Sequence, residues 1–478
     1  MRRWLILIVA GAALATQSAQ DRPGRRGGPR PAVQASKCND VPAHPFDLIL
    51  GRPTSNSVTV SVLCQADAKG YIAYGTEPDK LQRRTPPRLM EKGHPEEFVL
   101  SGLRSNTRFF YQFRFVSGGI PGVATNITGI GTNSAVLCFH TARPRGEPFT
   151  FTVTADSHLD ERTDPLVYQR TLAGALKDEP DFHIDLGDTF MTEKHPGRDE
   201  AHRQYIAQRY YFGQMSASTP LFLVLGNHDG ESPGGGRAGG DSLAVWSNTM
   251  RKRYFPNPAP DGFYTGNRTP HPQAGLLQDY YAWEWGDALF VVLDPFWFTP
   301  KQRWEGDNWN RTLGAGQHAW LGRTLESSKA RFKFVFVHHL VGGFENQCRG
   351  GSEAAPFFEW GGKNADGSEG FKEHRPGWAA PIHQMLVTNK VKVVFHGHDH
   401  FYARQALDGV IYQEVPQPGF PGNGRPPRNA AEYGYREGTI LGSPGYLRVR
   451  VFPKMTMVSL ARPAGSGAEA PHAYEVSP

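Results

Sequence analysis

An all-β sandwich followed by an α/β domain is the fold the sequence predicts, and three observations carry it. From residue 42 to 143 the apolar runs are short and alternate with period two. "SVTVSVLC" puts Val58, Val60, Val62 and Cys64 on one face, and "RFFYQFRFV" and "AVLCFHT" repeat the pattern between Gly, Pro and Asn punctuation, as antiparallel strands packed face to face require. After "ARPRGEP" (142–148) the pattern changes. Apolar strands "FTFTVTA" (149–155), "FHIDL" (182–186) and "LFLVL" (221–225) alternate with helical segments near 164–178 and 199–215, the arrangement of buried strands flanked by helices. Third, "YYAWEWGDALFVVLD", "FKFVFVHH" and "VKVVFHGH" add strands, and "GYLRVRVF" with "TMVSLARP" closes the second domain near 463. The expected boundaries are therefore 42–143 for the sandwich, 147–463 for the α/β domain and 464–478 for a tail. Gly-rich "ESPGGGRAGGDS" and the stretch from "ENQCRGG" to "NADGSEG" read as long surface loops.

Composition narrows the function classes. At 39% hydrophobic and 21% charged residues, the body is globular rather than disordered. The formal charge of +6 is accounted for within the first 37 residues, where Arg2, Arg3, Arg22, Arg25, Arg26, Arg30 and Lys37 face only Asp21. The remainder is balanced, so no nucleic-acid partner is expected. "MRRWLILIVAGAALATQSAQ" (1–20) has the basic start, short apolar stretch and small-residue end of a secretory signal peptide, which predicts a secreted or periplasmic protein. The following Pro/Gly/Arg tract (21–41) reads as a disordered linker. No other apolar run approaches the ~18 residues of a membrane span, so no stable membrane insertion is expected. Of the four cysteines, Cys38, Cys64 and Cys138 fall early, which predicts one bridge inside the first domain and leaves Cys348 free. None has CxxC spacing, which disfavours thiolate metal sites.

The chemistry-bearing residues sit where apolar strands end. "FHGHDHFYAR" crowds His396, His398, Asp399 and His400 into five positions after "VKVV". Alone, such a loop is open to packing, acid–base or metal roles. Four other strands end in the same fashion: in Asp156-Ser157-His158, in Gly187-Asp188, in Gly226-Asn227-His228-Asp229 and in His338-His339. Loops beyond strand carboxyl ends are where open α/β sheets place their sites. Imidazole, carboxylate and amide oxygen together suit divalent or trivalent ions such as Zn, Mn or Fe.

In this order, Asp-x-His, Gly-Asp, Gly-Asn-His-Asp, His and Gly-His-x-His resemble the calcineurin-like metallophosphoesterase superfamily. "GHDHFYAR", "YYAWEWGDALFVVLD" and the preceding β-domain resemble its purple acid phosphatase branch, and "LSGLRSNTRFFYQFRF" is similar to a stretch of fibronectin type III domains. The resemblance implies a metallophosphoesterase β-sandwich flanked by helices, and two metal ions. One would be held by Asp156, His158, Asp188 and His400, the other by Asp188, Asn227, His338 and His398, with Asp188 bridging. It implies His228 facing the substrate, Asp229 orienting its ring, and attack on a small phosphate ester by a metal-bound hydroxide. His339, His396 and Asp399 carry no ligand role in that pattern and read as supporting residues. The purple branch has a tyrosine three residues after the Gly-Asp aspartate and a glycine at the place of His158; here "GDTFM" supplies Met191, so iron–tyrosinate chemistry is not expected. Two other functions fit parts of the pattern: a phosphodiesterase or nucleotidase of the same superfamily, and a non-catalytic, metal-stabilised surface-binding protein. The complete "GNHD", with His228, favours an enzyme over the binder.

Overall fold

The computed structural model describes residues 39–117, 132–159, 162–195, 197–236, 239–300, 307–465 and 472–478. The expected signal peptide and nearly all of the linker lie outside the described residues.

The first part is two antiparallel sheets. Ser57–Cys64 runs between Phe46–Gly51 and Glu96–Ser101 in one sheet, and the second is built on Ala68–Gly75 paired with Arg108–Ser117. Val58, Val60 and Val62 share a core with Ile72, Phe98, Tyr111 and Phe113, which is why their alternation was readable. Among the described residues the expected disulfide is not formed: Cys64 and Cys138 are both free, as is Cys348, and Cys38 lies outside the described residues. Cys64 belongs to the first sheet and is buried with its Sγ 3.9 Å from Met90 Sδ. Cys138 sits on Leu137–His140, which pairs within the other sheet.

The α/β part is two sheets packed face to face. One has six strands in the order Leu221–Leu223, Phe182–Asp185, Phe149–Thr154, Tyr446–Phe452, Met455–Ala461 and Ala473–Val476, the first three parallel. The other has eight, including Ala288–Val292, Phe332–Phe336, Val393–His396 and Val410–Glu414 in parallel succession. Phe151 lies at the seam, its ring centroid 5.5 Å from Phe182, 5.2 Å from Phe290 and 5.8 Å from Phe334. Helices Pro165–Lys177 and Arg198–Ser216 bury Tyr168, Leu172, Tyr205 and Phe212 against Leu221 and Leu223. Gly314–Ser327 and Ile382–Thr388 cover the other sheet through Leu321, Leu325 and Leu386. The tail expected at 464–478 contains a strand, Ala473–Val476, that extends the six-stranded sheet by pairing with Met455–Ala461. Four residues with one buried apolar side chain, Val476, carry too short a pattern to be recognised.

The two parts meet on helix Arg198–Ser216. Arg209, fully buried, donates to Ser61 Oγ at 3.0 Å and Ser61 O at 3.1 Å in the sandwich, and to the carbonyl of Tyr254. Tyr111 Oη donates to Ala217 O at 2.6 Å. Unpaired buried carbonyls cost about 1–3 kcal/mol each, so Arg209→Met is expected to destabilise the protein by ~3 kcal/mol. Thermal unfolding followed by fluorescence checks this; an unchanged Tm would show that the guanidinium does not tie the two parts together.

Candidate metal centre

Because the leading strands of each sheet are parallel, their carboxyl ends lie on one rim. Loops after Phe149–Thr154, Phe182–Asp185 and Leu221–Leu223 bring Asp156, His158, Asp188 and Asn227. Loops after Phe332–Phe336 and Val393–His396 bring His338, His398 and His400. The potential ligand atoms of Asp156, His158 and His400 lie within 4.8 Å of one another, and so do those of Asp188, His338 and His398. Asn227 Oδ1 is 3.1 Å from His338 Nε2. That same nitrogen links the groups, 3.3 Å from Asp188 Oδ2 and 4.0 Å from Asp156 Oδ1. Asp188 therefore groups with the second set.

Local backbone makes this convergence possible. Asp156, Asp188, His398 and His400 all have left-handed φ angles, of 57°, 53°, 82° and 67°. Asp and His tolerate that region better than most residues. Gly187 and Gly226 let the two central loops touch: a Cβ on Gly226 would collide with the backbone N and Oδ1 of Asp188.

The donor set fits a pair of cations. His338 Nδ1 donates to Leu186 O at 2.9 Å, which fixes the ring and turns Nε2 towards Asp188 and Asn227. His398 Nε2 donates to Gln347 O at 2.6 Å, leaving Nδ1 for the site. Nε2 atoms of His158 and His400 stand 3.4 Å apart, and Asp156 Oδ1, fully buried 3.2 Å from His400 Nε2, has no hydrogen bond. Electrostatics agree. Burial alone would raise the carboxyls of Asp156 and Asp188, but the neighbouring imidazoles His400 and His338 hold them below the usual range. Burial alone would lower His338, yet Asp188 and Asp156 drive it up to about 10. The floor of the site thus favours a cation, and without a metal the proton on His338 supplies it.

The sequence profile of the calcineurin-like phosphoesterase family matches residues 149–402, the segment that carries every one of these residues. The chain belongs to the calcineurin-like phosphoesterase family. As a calcineurin-like phosphoesterase it is a phosphoric ester hydrolase, with two candidate metal-binding groups. Its fold is similar to that of PhoD, with a TM-score of 0.61 at 15% identity over 94% of this chain and 90% of that one. It is also similar to the purple acid phosphatase PPD1 of yellow lupin (Lupinus luteus) seeds, with a TM-score of 0.57 at 14% identity over 89% and 73%. No curated protein matches the chain in sequence.

Asp229, expected to orient the ring of His228, makes its hydrogen bonds to backbone. Its carboxylate accepts four backbone N–H bonds, from Asp188 (3.1 Å), Thr189 (2.8 Å), Phe190 (2.7 Å) and Gly226 (2.8 Å), so both oxygens are taken up by the two loops. Burial and nearby Asp188 push this carboxyl up to about 7, against the pull of those donors. The partner of His228 Nδ1 is Glu193, at hydrogen-bonding distance, while His228 Nε2 lies 4.0 Å from Asp188 Oδ2. Sequence spacing hid Glu193, because the chain turns there through Met191 in a left-handed conformation into a 3₁₀ turn, Thr192–Lys194. Met191 itself is buried. His339 and His396 are buried and held by Leu340 O (2.9 Å) and Glu414 Oε2 (2.7 Å), and Asp399 binds Arg349 at 2.5 Å and Tyr435 at 2.8 Å. Above the groups opens a cavity of about 550 Å³, walled by Asn346–Arg349 and by the loop that carries Gln417, Phe420 and Tyr433. The stretch beginning "ENQCRGG", expected to be a surface loop, and the segment after "IYQEV" are thus walls of the site.

Three measurements test this geometry. His338 is protonated at pH 7 in the metal-free protein and must be neutral to bind a cation, so Zn uptake at pH 7 should release at least one proton. Calorimetry in buffers of different ionisation enthalpy reads this directly; zero release would contradict the electrostatic account. With His158 in place of the purple branch's glycine and Met191 in place of its tyrosine, iron-loaded protein should lack a tyrosinate band. His158→Ala should hold about half the wild-type metal, and full metal content in that variant would remove His158 from the ligand set.

Proposed function

We propose that the chain is an exported, acid phosphatase-like phosphoesterase that hydrolyses small phosphate esters with two metal ions. The first would be held by Asp156, His158, Asp188 and His400 and the second by Asp188, Asn227, His338 and His398. The observation that carries this is the pair of converging donor groups on the floor of one cavity, with His228 facing the same space. Export rests on the leader pattern of residues 1–20. The module over 42–143 is taken as fibronectin type III-like on its sequence stretch and its two antiparallel sheets, and the phosphoesterase module as 147–463 together with the strand Ala473–Val476.

When bound, two such ions polarise the phosphoryl oxygens and lower the pKa of water. The chain supplies the rest. Asp229 fixes the loops that hold Asp188 and Asn227. Glu193 accepts the Nδ1 proton of His228 and stabilises the imidazolium, so that Nε2 is the atom that hands a proton to the departing oxygen. Asp188 Oδ1 accepts the backbone N–H of His228 at 2.7 Å, which keeps the ring beside the ligand groups.

A strong chelator should abolish phosphoesterase activity, and Zn, Mn or Fe should restore part of it; undiminished turnover in demonstrably metal-free protein would sink the proposal. A positioned general acid contributes roughly 10²–10⁴-fold. His228→Ala should lose rate on that order with alkyl phosphates and much less with p-nitrophenyl phosphate, keeping its metal. Glu193→Gln should show the same leaving-group dependence more weakly. Equal losses for both leaving groups, together with lost metal, would make His228 structural.

A further inference from the structure

The cavity above the donor groups is lined by five strongly basic residues, Arg162, Lys194, Arg311, Arg349 and Arg425, and by only two acids, Asp188 and Asp399. Asp188 sits among the candidate metal ligands, and Asp399 is engaged by Arg349 at 2.5 Å, by Tyr435 Oη at 2.8 Å and by the backbone N of Gly350 at 3.1 Å. Arg349 is further fixed with its guanidinium 3.9 Å over the ring of Tyr433. Among the described residues, Lys194 and Arg425 have no acid within ion-pair distance, and both side chains belong to exposed residues at the cavity wall.

Their places in the fold give this charge a direction. Lys194 directly follows Glu193, whose carboxylate holds His228 Nδ1, and it lines the same cavity as His228. It therefore lies on the side of the site where the leaving group departs. Arg425 comes from the long loop between Val410–Glu414 and Thr439–Leu441, which also carries Gln417 and Phe420 into the cavity. One phosphoryl group would need only the space beside the two metal-binding groups. A cavity of about 550 Å³ is of the size that encloses a whole small ligand, and Lys194 and Arg425 at its wall concentrate anions within it.

We propose that the site selects phosphate esters whose leaving group carries a second phosphate, held by Lys194 and Arg425. This rests on the phosphoesterase function proposed above. In the reaction the scissile P–O bond is exchanged for a bond from phosphorus to water oxygen. The leaving oxygen takes up a proton, and the second phosphate departs with the alcohol, unchanged.

The test compares 1,4-butanediol bisphosphate with 4-hydroxybutyl phosphate, which share one leaving-group chemistry, on metal-loaded full-length protein. The bisphosphate should have a kcat/KM at least tenfold higher at low ionic strength, and the gap should shrink in 0.5 M KCl as screening sets in. In a Lys194→Gln/Arg425→Gln double variant with retained metal, the ratio of the two should fall towards two, the statistical value for two identical ends. Equal wild-type kcat/KM per phosphate, or a tenfold gap that persists in the double variant, overturns the inference. Calorimetric binding of butane-1,4-bisphosphonate against butylphosphonate repeats the comparison without turnover. Tighter bisphosphonate binding that the double variant loses, in a protein that hydrolyses no phosphate ester, would keep the anion site and reject the phosphoesterase function. Equal binding of the two phosphonates would reject the anion site.

Discussion

The carboxylate of Asp229 ties two strand-end loops into one body, and the geometry of the site depends on that tie. Its oxygens gather N–H groups from Asp188, Thr189 and Phe190 on one loop and from Gly226 on the other. The loops can approach so closely only because Gly226 has no side chain to strike Asp188. Asp188 is thereby placed beside His338, and Asn227 and His228 follow one and two residues behind the glycine. A carboxylate bonded to several backbone amides is among the strongest local anchors available to a buried loop. The residue is thus better understood as the keystone of the loop pair than as half of an acid–base couple.

Much of this was legible in the sequence, for a physical reason. Strands buried on both faces must be continuously apolar, so the positions at which "FTFTVTA", "FHIDL" and "FVFVHH" give way to Asp and His are conspicuous. Those positions hold the donor residues that converge. What could not be read depends on where chains cross rather than on local pattern. Glu193 reaches His228 because Met191 reverses the backbone. Leu186 offers a carbonyl, which carries no side-chain signature, to His338. Arg209 looks like a surface residue of an amphipathic helix until the sandwich is laid against it. The four residues of Ala473–Val476 have meaning only beside Met455–Ala461.

The two kinds of β-structure divide the work. In the α/β part, aromatic side chains around Phe151 lock one sheet on the other, and that stacking brings strand ends of both sheets to a common rim. Among the described residues, the N-terminal sandwich contributes none to that cavity. It grips the helix Arg198–Ser216 instead, the helix from which Gln208 Nε2 donates to Ser157 O at 2.7 Å and Thr189 O at 2.8 Å. One helix therefore carries the sandwich through Arg209 and braces two donor-bearing loops through the residue just before it.

The left-handed backbone at Asp156, Asp188, His398 and His400 restricts which amino acids these positions can accept. Asp and His enter that region several-fold more readily than most residues, and a β-branched or bulky side chain there is an outlier. Two separate filters therefore act on the same four places: the ion asks for oxygen or imidazole nitrogen, and the chain asks for a residue that tolerates positive φ. Aspartate and histidine pass both, whereas glutamate passes the first more easily than the second. Retuning such a centre by ligand exchange is accordingly a backbone problem before it is a coordination problem, and the loops would have to be rebuilt along with the side chains.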